Sequence, residues 1–311
     1  MNKDNNKDIK YLITGATGAT GGEAIRLLLQ RGHKVRAFAH REDERSRKLL
    51  ELGAEVVFGD LQNLDDVSAA LKGIQRAYFC YPISPGLAKA TVIFTQAAKE
   101  NGVEAIVNMS QISARREAKS TAAREHWLAE RVFDWSGIPV THLRPTFFAE
   151  WLLYNAADIR QGTLILPLDP AARHAPVAAD DQSRVIAAIL ENPEPHKGQI
   201  YPLYGPKEYT QPEVAEVLSS VLGRKIGYKQ LDFESWKAAK LAGAKGGPAP
   251  SQNSATALYG GTDHILQHLQ EVSLDHKNGV FAGTNDYILQ IGGQPPTTLE
   301  EFIKQNRAAF D

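Results

Sequence analysis

A glycine-rich turn near the start of the chain constrains its fold more than any other feature. The segment LITGATGATGGEAIRLLLQRG places Gly15, Gly18 and Gly21 between an apolar strand-like run and a helix-like run. A tight turn needs a residue that tolerates positive φ, and a backbone that closely approaches a diphosphate has no room for a Cβ. The free N–H groups at the start of the helix then face the phosphates. The turn therefore predicts a dinucleotide site.

The context of this turn favours the dinucleotide site over a merely structural turn. Its spacing is GxxGxxG instead of the common GxGxxG, and a lone glycine triplet is weak evidence. It nevertheless follows the first strand, opens a helix and begins a run of strand–helix units, and the hydroxyls of Thr17 and Thr20 can add donors. The predicted phosphate-binding residues are Gly15, Thr17, Gly18, Ala19, Thr20 and Gly21.

Short apolar runs alternate with helical patterns through the first half of the chain. The predicted strands are 9–15, 34–40, 55–60, 76–81, 104–110 and 139–145. The predicted helices are 19–31, 42–52, 64–72, 87–101 and 121–136. Several strands are continuously apolar, as expected when helices cover both faces of a parallel sheet. The pattern predicts an α/β fold, a Rossmann doubly wound parallel sheet with helices on both faces.

The pattern changes after Pro145. A short strand is predicted at 199–205, then a helix closed by Gly223, and a terminal helix whose N-cap is Thr297 or Thr298. We expect an NAD(P)-binding domain at 1–150 and a smaller, partly interleaved substrate lobe at 151–311. The segment 242–255 is rich in Gly, Ala, Pro and Ser, which predicts a mobile loop, and whether it closes over the site is open.

Charge and cysteine content narrow the class of protein. The 35 basic and 36 acidic residues give a net charge of −1, which predicts no nucleic-acid partner and no attraction to a membrane surface. No apolar run approaches the roughly 18 to 20 residues of a membrane span. One cysteine, Cys80, and a polar N-terminus without an apolar run favour the reducing cytoplasm. Cys80 is predicted to be an inert buried thiol, and the nine histidines show no metal-ligand spacing.

The end of the second predicted strand bears on the choice of nucleotide. NAD-selective sites place an Asp or Glu there for the ribose 2′-hydroxyl, whereas this strand ends in AFAHRED with His40 and Arg41. The guanidinium of Arg41 suits a 2′-phosphate, so the sequence favours NADP(H) over NAD(H). Two alternatives stay open: Arg41 is a solvated loop charge, or Glu42 or Asp43 reaches the ribose.

Further cofactor contacts are expected at the carboxyl ends of other strands. Asp60 and Leu61 follow the third strand, where adenine should lie, and Asp60 either accepts from the adenine amino group or caps a turn. Tyr81 and Pro82 end the fourth strand and either border the ribose or pack against the protein. Pro145 ends the sixth strand, where the nicotinamide is expected.

Four aromatic residues just beyond the sixth strand suggest an acceptor site. Phe147, Phe148, Trp151 and Tyr154 would favour a flat, apolar substrate by stacking. Phe147 and Trp151 are also four residues apart, as in a plain hydrophobic contact on a helix, and this alternative stays open.

Several segments together resemble the NmrA-like branch of the atypical short-chain dehydrogenase/reductases. They are GATGATG, the GD at 59–60, and the stretches at 135–148, 201–224 and 292–302. The resemblance covers nearly the whole chain and implies a doubly wound sheet with a small C-terminal lobe. It also implies either an NAD(P)H-dependent quinone or dye reductase, or a regulator that binds NAD(P) without turnover.

The chain departs from the wider family at one place. Typical short-chain dehydrogenases carry Tyr-x-x-x-Lys on the helix before the PVTHLRP strand, where this chain has REHWLAERVF. By alignment with that family His126 and Glu130 take the Tyr and Lys positions, and Ser110 matches the usual catalytic serine. Glu130 would favour an imidazolium at His126 and make it a proton donor, or the two form an ion pair without chemistry.

Two functions follow from the sequence. The first is an NADPH-dependent oxidoreductase that transfers hydride to a quinone-like or other conjugated aromatic acceptor. The second is an NADP(H)-binding redox sensor that acts through a protein partner with little or no turnover.

Overall fold

The computed structural model describes residues 10–244 and 263–311. Within these residues the strands are β1 (Lys10–Ile13), β2 (Lys34–Ala39), β3 (Glu55–Phe58), β4 (Arg76–Phe79), β5 (Ala105–Met109), β6 (Val140–Pro145), β7 (Thr163–Leu166), β8 (Ile200–Leu203) and β9 (Gly227–Gln230). Seven of them form one parallel sheet in the order β3-β2-β1-β4-β5-β6-β8. The order reverses between β1 and β4, so a crevice opens at the carboxyl ends of these strands.

The α-helices of the described residues lie against this sheet or in a smaller unit beside it. They are α1 (Ala19–Gln30), α2 (Glu44–Glu51), α3 (Leu64–Leu71), α4 (Leu87–Glu100), α5 (Thr121–Trp135), α6 (Trp151–Tyr154), α7 (Ala156–Arg160), α8 (Ala179–Glu191), α9 (Gln211–Leu222), α10 (Phe233–Ala244), α11 (Asp263–Lys277), α12 (Tyr287–Gly292), α13 (Leu299–Gln305) and α14 (Arg307–Phe310). Several ends have the expected caps. Thr298 caps α13 through a capping box with Glu301, and Gly223 ends α9 at φ 73°. None of these helices is long and apolar enough to cross a membrane.

The sheet is apolar on both faces because helices cover both. On one face Ile25 of α1 and Ile189 of α8 pack over the strands, and on the other Phe94 of α4 and Phe133 of α5 do so. This burial explains the continuously apolar strands, and the predicted fold class is confirmed.

The second half of the chain contributes to this sheet and also forms a smaller unit. Strand β8 completes the sheet, whereas β7 and β9 pair in parallel apart from it, with Leu218 of α9 and Phe302 of α13 in the adjoining core. The division of the chain near residue 150 stays a prediction. Of the predicted loop, 242–244 belong to the end of α10 and 245–255 lie outside the described residues.

Candidate active site

The glycine turn has the geometry that a phosphate site requires. Gly15 adopts φ +59°, and a Cβ on Gly21 would lie 2.4 Å from the Gly15 carbonyl oxygen. Gly18 is the N-cap of α1 and provides no side-chain cap. No backbone partner among the described residues accepts from the first N–H groups of α1, at 19–21. A bound anion can therefore take these donors and the positive end of the helix.

A cleft of about 770 Å³ runs along the carboxyl ends of β1, β2, β3 and β4. Thr14, at the end of β1, connects this strand to the end of β4 beneath the cleft. Its hydroxyl donates to the Cys80 carbonyl at 3.1 Å and accepts from the Cys80 N–H at 2.8 Å. The predicted cofactor residues that line this cleft are Gly15, Thr17, Gly18, Ala19, Thr20, His40, Asp60, Leu61 and Tyr81. Their contacts with a cofactor stay predictions.

The cation beside the second strand differs from the predicted one. The side chain of Arg41 is 73% exposed and lies outside the cleft lining, whereas Arg45 on the first turn of α2 lines it. The guanidinium of Arg45 binds Asp43, which also caps α2 by accepting from the N–H groups of Arg45 and Ser46. The carboxylate of Asp43 is thus already bonded. Sequence reasoning missed Arg45 because it looked only at the strand end.

Two of the predicted polar contacts are occupied within the protein. The Thr20 hydroxyl is buried against the sheet in a 3.0 Å hydrogen bond with the Tyr78 hydroxyl, which differs from the prediction that it faces the phosphates. Asp60 accepts from the N–H of Gln62 at 2.8 Å, as in the turn-capping alternative, while it still lines the cleft.

A second cavity of about 620 Å³, here called the inner cavity, continues from the cleft. Met109, Phe148 and Trp151 border both spaces, so a ligand in the cleft and a ligand in the inner cavity would meet there. The other predicted residues on its wall are Tyr81, Ser110, His126, Pro145, Phe147 and Tyr154. The structure thus brings the predicted catalytic and substrate residues to one place, apart from Glu130.

Glu130 has a partner that the sequence reasoning did not foresee. It is fully buried and accepts from the Ser110 hydroxyl at 2.6 Å and from Arg144 at 2.8 and 2.5 Å. These bonds join α5 to the ends of β5 and β6. The expected pairing of Glu130 with His126 is therefore wrong, because Arg144 on the neighbouring strand takes the carboxylate.

His126 is neutral near pH 7. Burial, together with a smaller effect of the neighbouring His268, lowers its pKa to about 4, and the opposing effect of Glu130 is smaller still. The expectation of an imidazolium that donates a proton is wrong, because desolvation outweighs the carboxylate. The Nδ1 atom of His126 is buried without a hydrogen-bond partner among the described residues. Any catalytic role of His126 stays a prediction.

The aromatic residues after β6 divide between core and cavity. Phe147 is 7% exposed and stacks on Phe281, with ring centroids 4.2 Å apart, and it also contacts Trp151 edge-on. Phe147 therefore makes the hydrophobic contact with Trp151 that the sequence left as an open alternative. It also borders the inner cavity. Phe148 and Tyr154 border both the cleft and the inner cavity.

Two further titratable side chains, those of Glu150 and Cys80, border the cleft. Glu150, which sequence reasoning missed, accepts from the N–H of Ala179 at the start of α8 at 2.9 Å, and its other oxygen is buried without a partner among the described residues. Burial raises the pKa of Glu150 to about 7. Burial also raises the pKa of the Cys80 thiol, so this thiol is protonated at neutral pH, in keeping with the predicted inert role. Cys80 is only partly buried, in contrast to the prediction, and it borders the cleft.

The doubly wound sheet, the glycine turn before α1 and the cleft at the switch point define a Rossmann-type nucleotide-binding protein. Within that class the chain belongs to the NmrA-like family, which residues 7–251 match. The resemblance seen in the sequence is confirmed.

Three known proteins illustrate what the chain is similar to. An NAD(P)H azoreductase of Xenophilus azovorans is 29% identical over 302 residues, which are 96% of this chain and 98% of that protein. An NADPH-dependent quinone oxidoreductase of Escherichia coli, solved with NADPH, has a TM-score of 0.80 at 23% identity and covers 96% of this chain and 99% of its own. NmrA, a negative transcriptional regulator solved with NADP, has a TM-score of 0.76 at 16% identity. The match covers 96% of this chain and 94% of the NmrA chain. The two structural likenesses show the shared fold.

Proposed function

We propose that this protein is an NADPH-dependent reductase that transfers hydride to a quinone-like or other conjugated aromatic acceptor. The observation that carries the proposal is the continuity of the phosphate-binding cleft with an aromatic inner cavity across Met109, Phe148 and Trp151. The azoreductase relative, whose name states NAD(P)H as its cofactor, supports both the reductase activity and the cofactor. The single cysteine is in keeping with a cytoplasmic location.

The residues of the cleft fit a dinucleotide. The glycine turn and the first N–H groups of α1 would hold the diphosphate, and Tyr81 and Pro145 would border the ribose and the nicotinamide. His40 and Arg45 line the end of the cleft where a 2′-phosphate would lie, with the exposed Arg41 nearby. Because Asp43 is bonded to Arg45 and caps α2, the site favours NADP(H) over NAD(H).

When bound, the cofactor supplies a hydride at nicotinamide C4. The chain binds the acceptor between Phe148, Trp151 and Tyr154 and excludes water from its apolar face. In the proposed reaction no Tyr-x-x-x-Lys pair takes part, since His126 and Glu130 align with those positions. His126 is neutral near pH 7, and Glu130 is bonded to Ser110 and Arg144. Proximity and orientation are then the main contribution of the protein, and a quinone oxygen can take its proton from water.

The proposal is tested by following NADPH oxidation against a panel of neutral quinones and azo dyes, with NADH in parallel. We expect acceptor-stimulated turnover and a lower Kd for NADPH than for NADH. Arg45→Ala should remove much of that difference, and Arg41→Ala should remove less because Arg41 lies outside the lining. Cofactor binding without stimulated turnover of any acceptor would refute the reductase proposal, and tighter NADH binding would refute the NADP(H) preference.

A redox-sensing protein is the second candidate. It is favoured by the missing proton donor at His126 and by the fold shared with the regulator NmrA. The expected signature is NADP(H) binding without turnover, together with a purified partner that binds only in one redox state of the cofactor. Catalytic turnover that does not change when a partner is added would refute it.

A further inference from the structure

We infer that Gln62 and Tyr81 are positioning residues for the proposed reaction, because hydrogen bonds from Gln62 through Tyr81 to Pro85 hold the loop 82–85 between the cleft and the inner cavity. The inference rests on the proposed function and deepens it. It gives a role in acceptor binding to Gln62, which lines the cleft and lies outside the described lining of the inner cavity.

The loop 82–85 connects β4 to α4 and borders both spaces. All four of its residues line the cleft, and Pro82 and Ile83 also line the inner cavity. The side chain of Ile83 packs against an apolar cluster that includes Trp236 of α10 and Ile265 of α11. The position of this short loop therefore affects the shape of the nucleotide site and of the acceptor site together.

Two hydrogen bonds, here called the Tyr81 bridge, connect this loop to the turn between β3 and α3. The Tyr81 hydroxyl donates to the Pro85 carbonyl at 3.1 Å and accepts from the Nε2 amide group of Gln62 at 2.9 Å. Gln62 is fixed in its own turn, since its backbone N–H donates to Asp60 at 2.8 Å. Within the described residues, the other hydrogen bond of the loop 82–85 joins two of its own residues. The Tyr81 bridge is thus the polar connection between the loop and the neighbouring turn.

Gly86, the N-cap of α4, shows how closely the Tyr81 bridge is packed. It adopts φ +108°, and a Cβ there would lie 2.5 Å from the Nε2 atom of Gln62 and 2.8 Å from the Tyr81 hydroxyl oxygen. The bridge therefore occupies the space that a side chain at this position would fill. Pro82 and Pro85 restrict the backbone torsions between the two ends of the loop, so we expect the loop to move as a unit.

Without the Tyr81 bridge the loop would be held by packing alone. The Pro85 residue is exposed, so its carbonyl can bond to water and the fold tolerates the loss. Ligand binding must then supply the free energy that orders the loop. This cost weakens the binding of each ligand that the loop borders. It leaves the hydride transfer step unchanged, because the loop is already in place once both ligands are bound.

The test uses Gln62→Leu and Tyr81→Phe, which keeps the ring and removes only the hydroxyl. The acceptor is the neutral quinone or azo dye that the wild-type protein reduces fastest. At saturating NADPH we expect the acceptor KM to rise about fivefold in Gln62→Leu, the effect of losing one good hydrogen bond, and about tenfold or more in Tyr81→Phe, which loses two. The kcat should change less than twofold in both. The double variant should match Tyr81→Phe, since Gln62 acts through the Tyr81 hydroxyl.

Hydrogen exchange of the protein without ligands, followed by mass spectrometry, measures the loop directly. Peptides that span 80–88 should exchange faster in both variants, whereas peptides from β6 should not change. Gln96→Leu is the matched control. This exposed glutamine on α4 also donates one hydrogen bond from Nε2, to Glu100 at 2.6 Å, and it lines neither space. Its replacement should change neither the acceptor KM nor the exchange of the loop.

Three results would overturn the inference. In the first, Gln62→Leu raises only the Kd for NADPH, which would mean that Gln62 acts by contact with the nucleotide. In the second, kcat falls while the acceptor KM stays constant, as expected from a loss of folded protein. In the third, exchange of the loop is unchanged in Tyr81→Phe.

Failure of the reductase proposal would be distinguishable from failure of this inference. If the wild-type protein reduces no acceptor, the reductase proposal fails, and loop exchange together with the Kd for NADPH decides the role of the Tyr81 bridge. Faster exchange with about fivefold weaker NADPH binding in Tyr81→Phe would then support it, and the absence of either change would overturn it.

Discussion

Removing one partner of the buried contact between Glu130 and Arg144 is expected to destabilise the protein strongly, because the other partner stays buried. Glu130 is fully buried and Arg144 is 21% exposed, and the guanidinium meets the carboxylate through two hydrogen bonds. In Arg144→Met the carboxylate of Glu130 stays buried. Its remaining partners are the Ser110 hydroxyl and, at the longer distance of 3.5 Å, the Nη2 atom of Arg131. Breaking one side of a buried pair costs about 3–5 kcal/mol. We expect a loss of this size in the free energy of unfolding.

Urea unfolding at pH 7.5, followed by circular dichroism and extrapolated linearly, measures this loss. The double variant Glu130→Gln/Arg144→Met should recover at least about 2 kcal/mol relative to Arg144→Met, because a neutral amide is cheaper to bury than an unpaired carboxylate. Arg173→Met is the matched control. Its guanidinium also makes two contacts with a carboxylate, Glu213, at 3.0 Å each, but both side chains are more than a third exposed. We expect that exposed contact to be worth no more than about 1 kcal/mol.

Two results would refute this reasoning. If Arg144→Met costs no more than Arg173→Met, the carboxylate of Glu130 is not held in a buried pair. If the double variant is as unstable as the sum of its two single variants, the two side chains are not coupled. Either result would reopen the possibility that Glu130 acts on His126.

Three further predictions concern the turn and the buried titratable groups. Gly21→Ala should weaken NADPH binding at least about tenfold in a fluorescence titration, because its Cβ would lie 2.4 Å from the Gly15 carbonyl oxygen. Gly227→Ala is the control and should bind normally, because its Cβ would meet no atom nearer than 4.0 Å. Burial lowers the pKa of His174 to about 3, so as pH falls from 6.5 only the unfolded imidazole takes up a proton and unfolding is favoured. His174→Gln should reduce the slope of the unfolding free energy against pH between 5 and 6 by about 1.4 kcal/mol per pH unit. An unchanged slope would contradict this. Glu150, whose pKa burial raises to about 7, acts in the opposite direction, so the stability it contributes is lost as pH rises from 4.5 through 7. Glu150→Gln should be more stable than wild type by about 2–3 kcal/mol at pH 8 and no more stable at pH 4.5. Urea midpoints at the two pH values would show or disprove this.

The first half of the fold could be predicted from the sequence because its signals are local. Each strand from β1 to β6 lies within a predicted apolar run, and α1 begins directly after Gly18 of the predicted turn. The pairing of β7 with β9 was not predicted, since it joins Thr163–Leu166 to a strand that lies beyond two helices. Such contacts depend on how helices pack, which no short window of sequence reports.

The site could be predicted only as far as strand order determines it. The carboxyl ends of parallel strands meet at one edge, so Asp60, Leu61 and Tyr81 were expected near the cofactor. The partner of Glu130 could not be predicted, because Arg144 comes from a neighbouring strand and not from the same helix face. A carboxylate on a helix has many possible partners, and only the packed structure shows which cation reaches it.

The packing of α8 on α1 has a consequence for how this protein can diversify. The Ser183 hydroxyl on α8 lies 3.0 Å from the Thr20 carbonyl oxygen of α1, and Glu150 on the cleft wall accepts from the first N–H of α8. One helix thus packs on α1, which begins at the glycine turn, and also holds a residue of the cleft wall. A new acceptor preference would have to arise by replacing individual side chains, because exchanging the second half of the chain for another module would remove a support of the nucleotide helix.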